Sequence, residues 1–116
     1  MAFINYIEIT KEVYTMKNID IKDFAKLVES GKDINLIDVR PEDYYTDGHI
    51  PGAENVPLEN LEDHLGRLDK NTHYYTVCHD GVRSKKAAEL LTEHGFDATY
   101  IKQGTPEYPG ELETGK

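Results

Sequence analysis

Tyr75-Thr76-Val77-Cys78-His79-Asp80-Gly81-Val82-Arg83-Ser84 joins the end of a β-type run to the start of a helix-type run. His73 to Val77 reads as a short buried strand ending at Cys78, and Ser84 to His94 carries Ala87, Ala88 and Leu91 on one helical face, with Gly95 where a cap would end it. A strand passing directly into a helix is half of a βαβ unit, so this stretch points the whole chain toward an α/β fold with a mainly parallel sheet.

Working outward, Ile34 to Ile37 predicts a second buried strand ending at Asp38, and Ala98 to Ile101 a third. Val56 lies in a shorter apolar stretch that reads as a weaker fourth. Asp20 is placed to cap a helix whose Phe24, Leu27 and Val28 share a face, and Gly31 to stop it. Leu58, Leu61, Leu65 and Leu68 recur at intervals that predict a further amphipathic helix beginning after Pro57. No repeat or internal linker interrupts this alternation, which predicts one domain over residues 16–116. Residues 1–15 form an N-terminal extension whose apolar stretch, Phe3 to Ile9, can serve as an edge strand or an arm for a partner chain.

The 116 residues suffice for one core that buries roughly two-thirds of the unfolded surface. A net charge of −9 sets the surface against nucleic acid and anionic membrane, so neither is an expected partner. Arg83, Lys85 and Lys86 nevertheless cluster just after Cys78, where they can attract a small anion or simply form a solvated helix face. One cysteine cannot form an intramolecular disulfide, and no signal peptide, membrane-spanning run or lipidation motif is evident, so the expected compartment is a reducing cytoplasm.

A lone cysteine is often just a small buried hydrophobe. Here the strand delivers it to the first turn of a helix, where unpaired backbone N–H groups and the positive end of the helix dipole face the sulfur and favour thiolate over thiol. Gly81 permits a tight turn with its amides inward, and the N–H groups of residues 79 to 83 are the expected donors. Arg83 is expected to hold that loop in shape by bonding carbonyls or a carboxylate, and to add positive potential. Asp80 puts negative charge at the loop's mouth, which works against an incoming anion. Because ligands gather beyond the carboxyl ends of parallel strands, Asp38 and Arg40 should share a rim with Cys78, as an ion pair that braces it. His49 reads as a satisfied turn histidine and His79 as pointing outward. His64, His73 and His94 lack metal-ligand spacing, so no metal is expected.

Cys78-His79-Asp80-Gly81-Val82-Arg83-Ser84 resembles the active loop of rhodanese-like sulfurtransferases. Ile37-Asp38-Val39-Arg40, Tyr44, Gly48-His49-Ile50-Pro51-Gly52-Ala53 and Asn55-Val56-Pro57 are similar to that family's other signature, and Ala87-Ala88, Leu91, Gly95-Phe96 and Tyr100 to its post-loop helix and last strand. The resemblance covers residues 19 to about 108. It implies a rhodanese-like domain with a central parallel sheet of about five strands flanked by helices on both faces. It also implies that Cys78 is the catalytic residue, that His79, Asp80, Gly81, Val82, Arg83 and Ser84 form the substrate-binding loop, and that no cofactor is needed. Cys78 would take sulfane sulfur from thiosulfate or a persulfide and hold it as a persulfide. A thiol, cyanide, or an acceptor protein such as thioredoxin or a biosynthetic partner would then remove it.

Two other readings stay open. A cysteine phosphatase or arsenate reductase shares the nucleophile logic, but its loop is longer than the five positions separating Cys78 from Arg83. A non-catalytic binding module could keep the fold, although such a module has no need of the thiol.

Overall fold

The computed structural model describes residues 16–116, so the strand or arm expected at Phe3 to Ile9 lies outside the described residues. Five parallel strands, β1 (Asn18–Ile19), β2 (Asn35–Asp38), β3 (Glu54–Asn55), β4 (His73–Val77) and β5 (Asp97–Ile101), form one sheet in the order β1-β5-β4-β2-β3. The strands expected before Asp38, before Cys78 and through Ile101 are therefore present. The weak strand expected at Val56 falls one residue earlier, and the Val56 N–H extends its ladder to the Asp38 carbonyl at 3.0 Å.

Alternation along the strands sorts the core into two layers. On one face, Ile37, Tyr74, Cys78 and Ala98 pack with Ala87, Ala88 and Leu91 of a long helix (Val82–Glu93) and with Leu61. On the other, Leu36, Val77 and Ile101 pack with Phe24 of α1 (Ile21–Glu29) and Tyr45 of α2 (Glu42–Asp47). Cys78 thus continues the alternation of β4 onto the face where the long helix begins. Asp20 caps α1 as expected, its carboxylate accepting the Lys22 N–H at 2.8 Å.

The leucine-rich segment departs from expectation. In place of one helix after Pro57 there are a 3₁₀ turn (Leu58–Asn60), a single α-turn that we label α3 (Leu61–His64) and a second 3₁₀ turn (Leu65–Arg67). The pairs Leu58/Leu61 and Leu65/Leu68 are spaced by three, which a 3₁₀ turn aligns, and Gly66 weakens helix continuation. The long helix, α4, starts at Val82, two residues before the expected Ser84.

Tyr45 anchors α2: its hydroxyl donates to the Ala53 carbonyl at 2.6 Å, and its ring stacks on His49 with centroids 3.8 Å apart. Burial raises the Tyr45 pKa above the usual phenol value, with the Asp38 charge adding to the effect. In the unfolded chain the phenol ionises near 10, so its contribution to stability is complete below that pH and is lost as pH rises toward the folded value. Urea unfolding at pH 8 and pH 11 should show an alkaline loss of stability that is shallower in Tyr45→Phe. That variant should also be about 1 kcal/mol less stable at pH 8 for want of the hydroxyl bond.

Candidate active site

Pairing of β2 with β4 aligns Asp38 with Val77, and the Val39 N–H bonds the Val77 carbonyl at 3.0 Å. The carboxyl ends of these two strands therefore bring Asp38, Arg40 and Cys78 to one rim, where the strand order reverses around β2. Asp38 and Arg40 form a buried pair: Arg40 Nη2 donates to Asp38 Oδ2 at 2.7 Å, Nε to Oδ1 at 3.0 Å, and the backbone N–H of Arg40 to Oδ1 at 3.0 Å. Nη2 also reaches the Gly48 carbonyl at 2.8 Å, and Asn55 Nδ2 ties the carbonyls of Asp38 and Arg40 together. Every charge-bearing atom of Asp38 is hydrogen-bonded, which a buried carboxylate requires.

The Cys78 residue is only 1% exposed, and its sulfur forms the floor of a cleft of about 360 Å³. Sγ accepts N–H groups from Gly81 at 3.1 Å and Ser84 at 3.3 Å, and the thiol donates to Ser84 Oγ at 3.4 Å. The expected cradle of amides 79 to 83 is thus corrected in detail. Gly81 is a donor, but Ser84 outside that range is the second, while the Val82 N–H is bound by the Asp80 carboxylate at 3.1 Å. His79 and Asp80 are exposed and line the cleft together with Val82, Arg83, Arg40, Pro41 and Tyr44. Val82 and Tyr44, at 57% and 54% exposure, give the mouth an apolar rim.

The bracing role expected of Arg83 is not found. Its exposed side chain makes no hydrogen bond or ion pair with any described residue. The buried face of α4 is set by Ser84, Ala87, Ala88 and Leu91, which turns Arg83 to the solvent side of the first turn. It can supply positive potential at the mouth, whereas the loop is held from elsewhere.

That support comes from the exit of β5. The resemblance marks this stretch only as a pocket wall, with Gln103-Gly104 and Tyr108 where the family usually has Gly-Gly and Trp and with Thr105 to Pro109 to close it, yet none of these residues lines the cleft. The Thr105 N–H donates to the Cys78 carbonyl at 2.9 Å, and Thr105 Oγ1 lies 3.4 Å from the same oxygen. Gly104 passes so close that a Cβ there would stand 1.5 Å from the His79 carbonyl oxygen. Gly81 has φ 92, and a Cβ on it would meet the Lys102 carbonyl oxygen at 2.2 Å. Gln103 fixes this segment to the start of α1, accepting the Ile21 N–H at 2.8 Å and donating to Asp20 at 2.9 Å. Pro41 and Tyr44 line the cleft without any signal for that role in the sequence, although Tyr44 belongs to the quoted signature.

His49 is a satisfied buried residue, with Nδ1 at 2.8 Å from the Tyr45 carbonyl, as expected for a turn histidine. Among the described residues no cluster of His, Cys, Asp or Glu is placed to hold a metal ion, and no helix is long and apolar enough to cross a membrane.

A five-stranded parallel sheet with a cysteine at the carboxyl end of its central strand, on a loop that aims two amides at the sulfur just before a helix, defines a class of α/β protein. The family model for the rhodanese-like domain matches residues 20–110, and the chain belongs to that family. It is 32% identical over 90 residues to the thiosulfate sulfurtransferase GlpE of Shewanella oneidensis, covering 78% of this chain and 88% of that protein. It is 31% identical over 100 residues to YrkF of Bacillus subtilis, covering 85% of this chain but only 54% of the relative. The crystal structure of a rhodanese-like domain protein from Staphylococcus aureus superposes with a TM-score of 0.80 at 33% identity, over 87% of this chain and all of that one. Family and relatives together support a sulfurtransferase of the rhodanese type.

Proposed function

We propose that the protein moves sulfane sulfur from thiosulfate or a thiol persulfide to a thiophilic acceptor, through a persulfide on Cys78. The Cys78 thiolate attacks the outer sulfur of the donor. A new Sγ–S bond forms, the donor's own S–S bond breaks, and its electron pair leaves with sulfite or with a thiolate. An acceptor nucleophile then attacks the terminal sulfur, and the pair of the Sγ–S bond returns to Cys78.

The observation that carries this reading is the surroundings of Sγ. Two backbone amides, of Gly81 and Ser84, point at it, and the Ser84 hydroxyl is within reach to donate once the thiol has lost its proton. The sulfur lies at the floor of an open cleft, and Arg83 adds positive potential at the mouth. Asp38 and Arg40 serve as a rigid rim, since every Asp38 oxygen is committed to that pair. A lone working thiol suits a reducing compartment such as the cytoplasm, and the acceptor is a small thiol, cyanide in the test tube, or a protein.

Steady-state transfer to cyanide, followed as thiocyanate, tests this reading. Double-displacement kinetics are expected, with donor and acceptor each acting on a different form of the enzyme. Phosphate-ester hydrolysis that depends on Cys78, without thiocyanate from any donor, would overturn it.

A further inference from the structure

We infer that Asp80 is a specificity-determining residue that sets the thiol against dianionic donors such as thiosulfate and in favour of thiol persulfides, an inference that rests on the sulfur-transfer reading above. The first turn of a helix offers free amides to an incoming anion. Here the chain supplies an anion of its own. Asp80 Oδ1 accepts the Val82 N–H at 3.1 Å, stands 3.9 Å from Cys78 Sγ, and belongs to the cleft wall. The other inward amides, from Gly81 and Ser84, are directed at the sulfur itself.

A donor oxyanion therefore meets an occupied amide and a carboxylate beside the atom it must reach. Thiosulfate brings two negative charges into that space. A thiol persulfide, R–S–SH, presents its outer sulfur with at most one, and R can be neutral. Either donor gives the same product without an oxidant: Sγ bonds to the outer sulfur, the donor's S–S bond breaks, and the pair leaves on sulfite or on RS⁻. Only the charge encountered on approach differs. Repulsion between a single and a double negative charge roughly 5 Å apart beside water slows the dianion about tenfold.

The test is the rate of sulfur loading onto Cys78, read by quenched-flow intact mass with thiosulfate and with cysteine persulfide. Wild type is compared with Asp80→Asn, whose amide oxygen can still accept the Val82 N–H, and with Asp33→Asn. Asp33 is exposed ahead of β2 at the opposite end of the sheet and gives the same change in net charge. The thiosulfate-to-persulfide ratio of second-order loading rates should rise about threefold in Asp80→Asn if the persulfide reacts as a monoanion and about tenfold if it reacts as a neutral species, and less than about twofold in Asp33→Asn. Added salt should speed thiosulfate loading more steeply in wild type than in Asp80→Asn, a difference that a merely structural role for Asp80 would not produce. If wild type loads with both donors but the ratio stays put, or rises equally in Asp33→Asn, Asp80 is not the discriminator. If wild type loads with neither, the sulfur-transfer reading itself fails and the inference falls with it.

Discussion

Cys78→Ser should reduce sulfur transfer to cyanide by at least about a thousandfold with every donor, because the oxygen cannot form a persulfide and no second cysteine exists to replace it. The fold should survive. The serine oxygen is smaller than sulfur and finds the same partners, the N–H groups of Gly81 and Ser84 and the Ser84 hydroxyl, so no buried donor is stranded. A thermal melt within a few degrees of wild type, beside a thiocyanate assay at background, is the expected pair of results. Residual transfer at more than a few per cent of wild type would mean that sulfur passes directly from donor to acceptor in the cleft.

Gly104→Ala carries the largest expected cost in stability. The added methyl would overlap the His79 carbonyl, with its oxygen at 1.5 Å and its carbon at 2.0 Å, and would come within 2.8 Å of the Asp80 nitrogen. These are backbone atoms, so no side-chain rotation relieves the clash. Either residues 78–80 or the Lys102-to-Thr105 segment must shift, and the bond from the Thr105 N–H to the Cys78 carbonyl joins the two. The cost should reach about 3 kcal/mol, the upper end for overpacking, with a fall in Tm of roughly 10–20 °C. Well below its Tm the variant should also load sulfur at least about tenfold more slowly, since displacement of the loop spoils the aim of its amides. Gly66→Ala is the comparison, because its methyl would meet open space; a Tm change within about 3 °C is expected there. Equal behaviour of the two variants would show that the β5 exit does not buttress the loop.

The parts of the fold legible in the sequence are those long enough to carry a period. β2, β4 and β5 are four or five residues of β-type sequence, and α1 and α4 hold apolar residues at helical spacing. β1 and β3 are two residues each, and α2 is a six-residue helix behind Pro41, too short for any pattern to emerge. The antiparallel bridge from Glu113 back to His49 joins segments with no local signal at all.

The site divides in the same way. Cys78, Asp38 and Arg40 were readable because parallel strands deliver their carboxyl ends to one rim. Gly104 and Thr105 were readable only as part of a pocket wall, since their role as a support lies in the distance to a loop more than twenty residues earlier in the chain. Arg83 misled for a local reason: proximity to Cys78 suggested a cation folded into the loop. The spacing of Ser84, Ala87, Ala88 and Leu91 already placed it on the outer side of α4, had the helix been started at Val82.

The central claim is a persulfide on one cysteine. It is tested most directly by intact-protein mass spectrometry after incubation with thiosulfate or cysteine persulfide, then after addition of cyanide, with Cys78→Ser treated in parallel. The account predicts a gain of one sulfur atom that requires Cys78 and disappears with cyanide. A wild-type protein whose mass never changes with either donor, while its thiol alkylates readily, would contradict it.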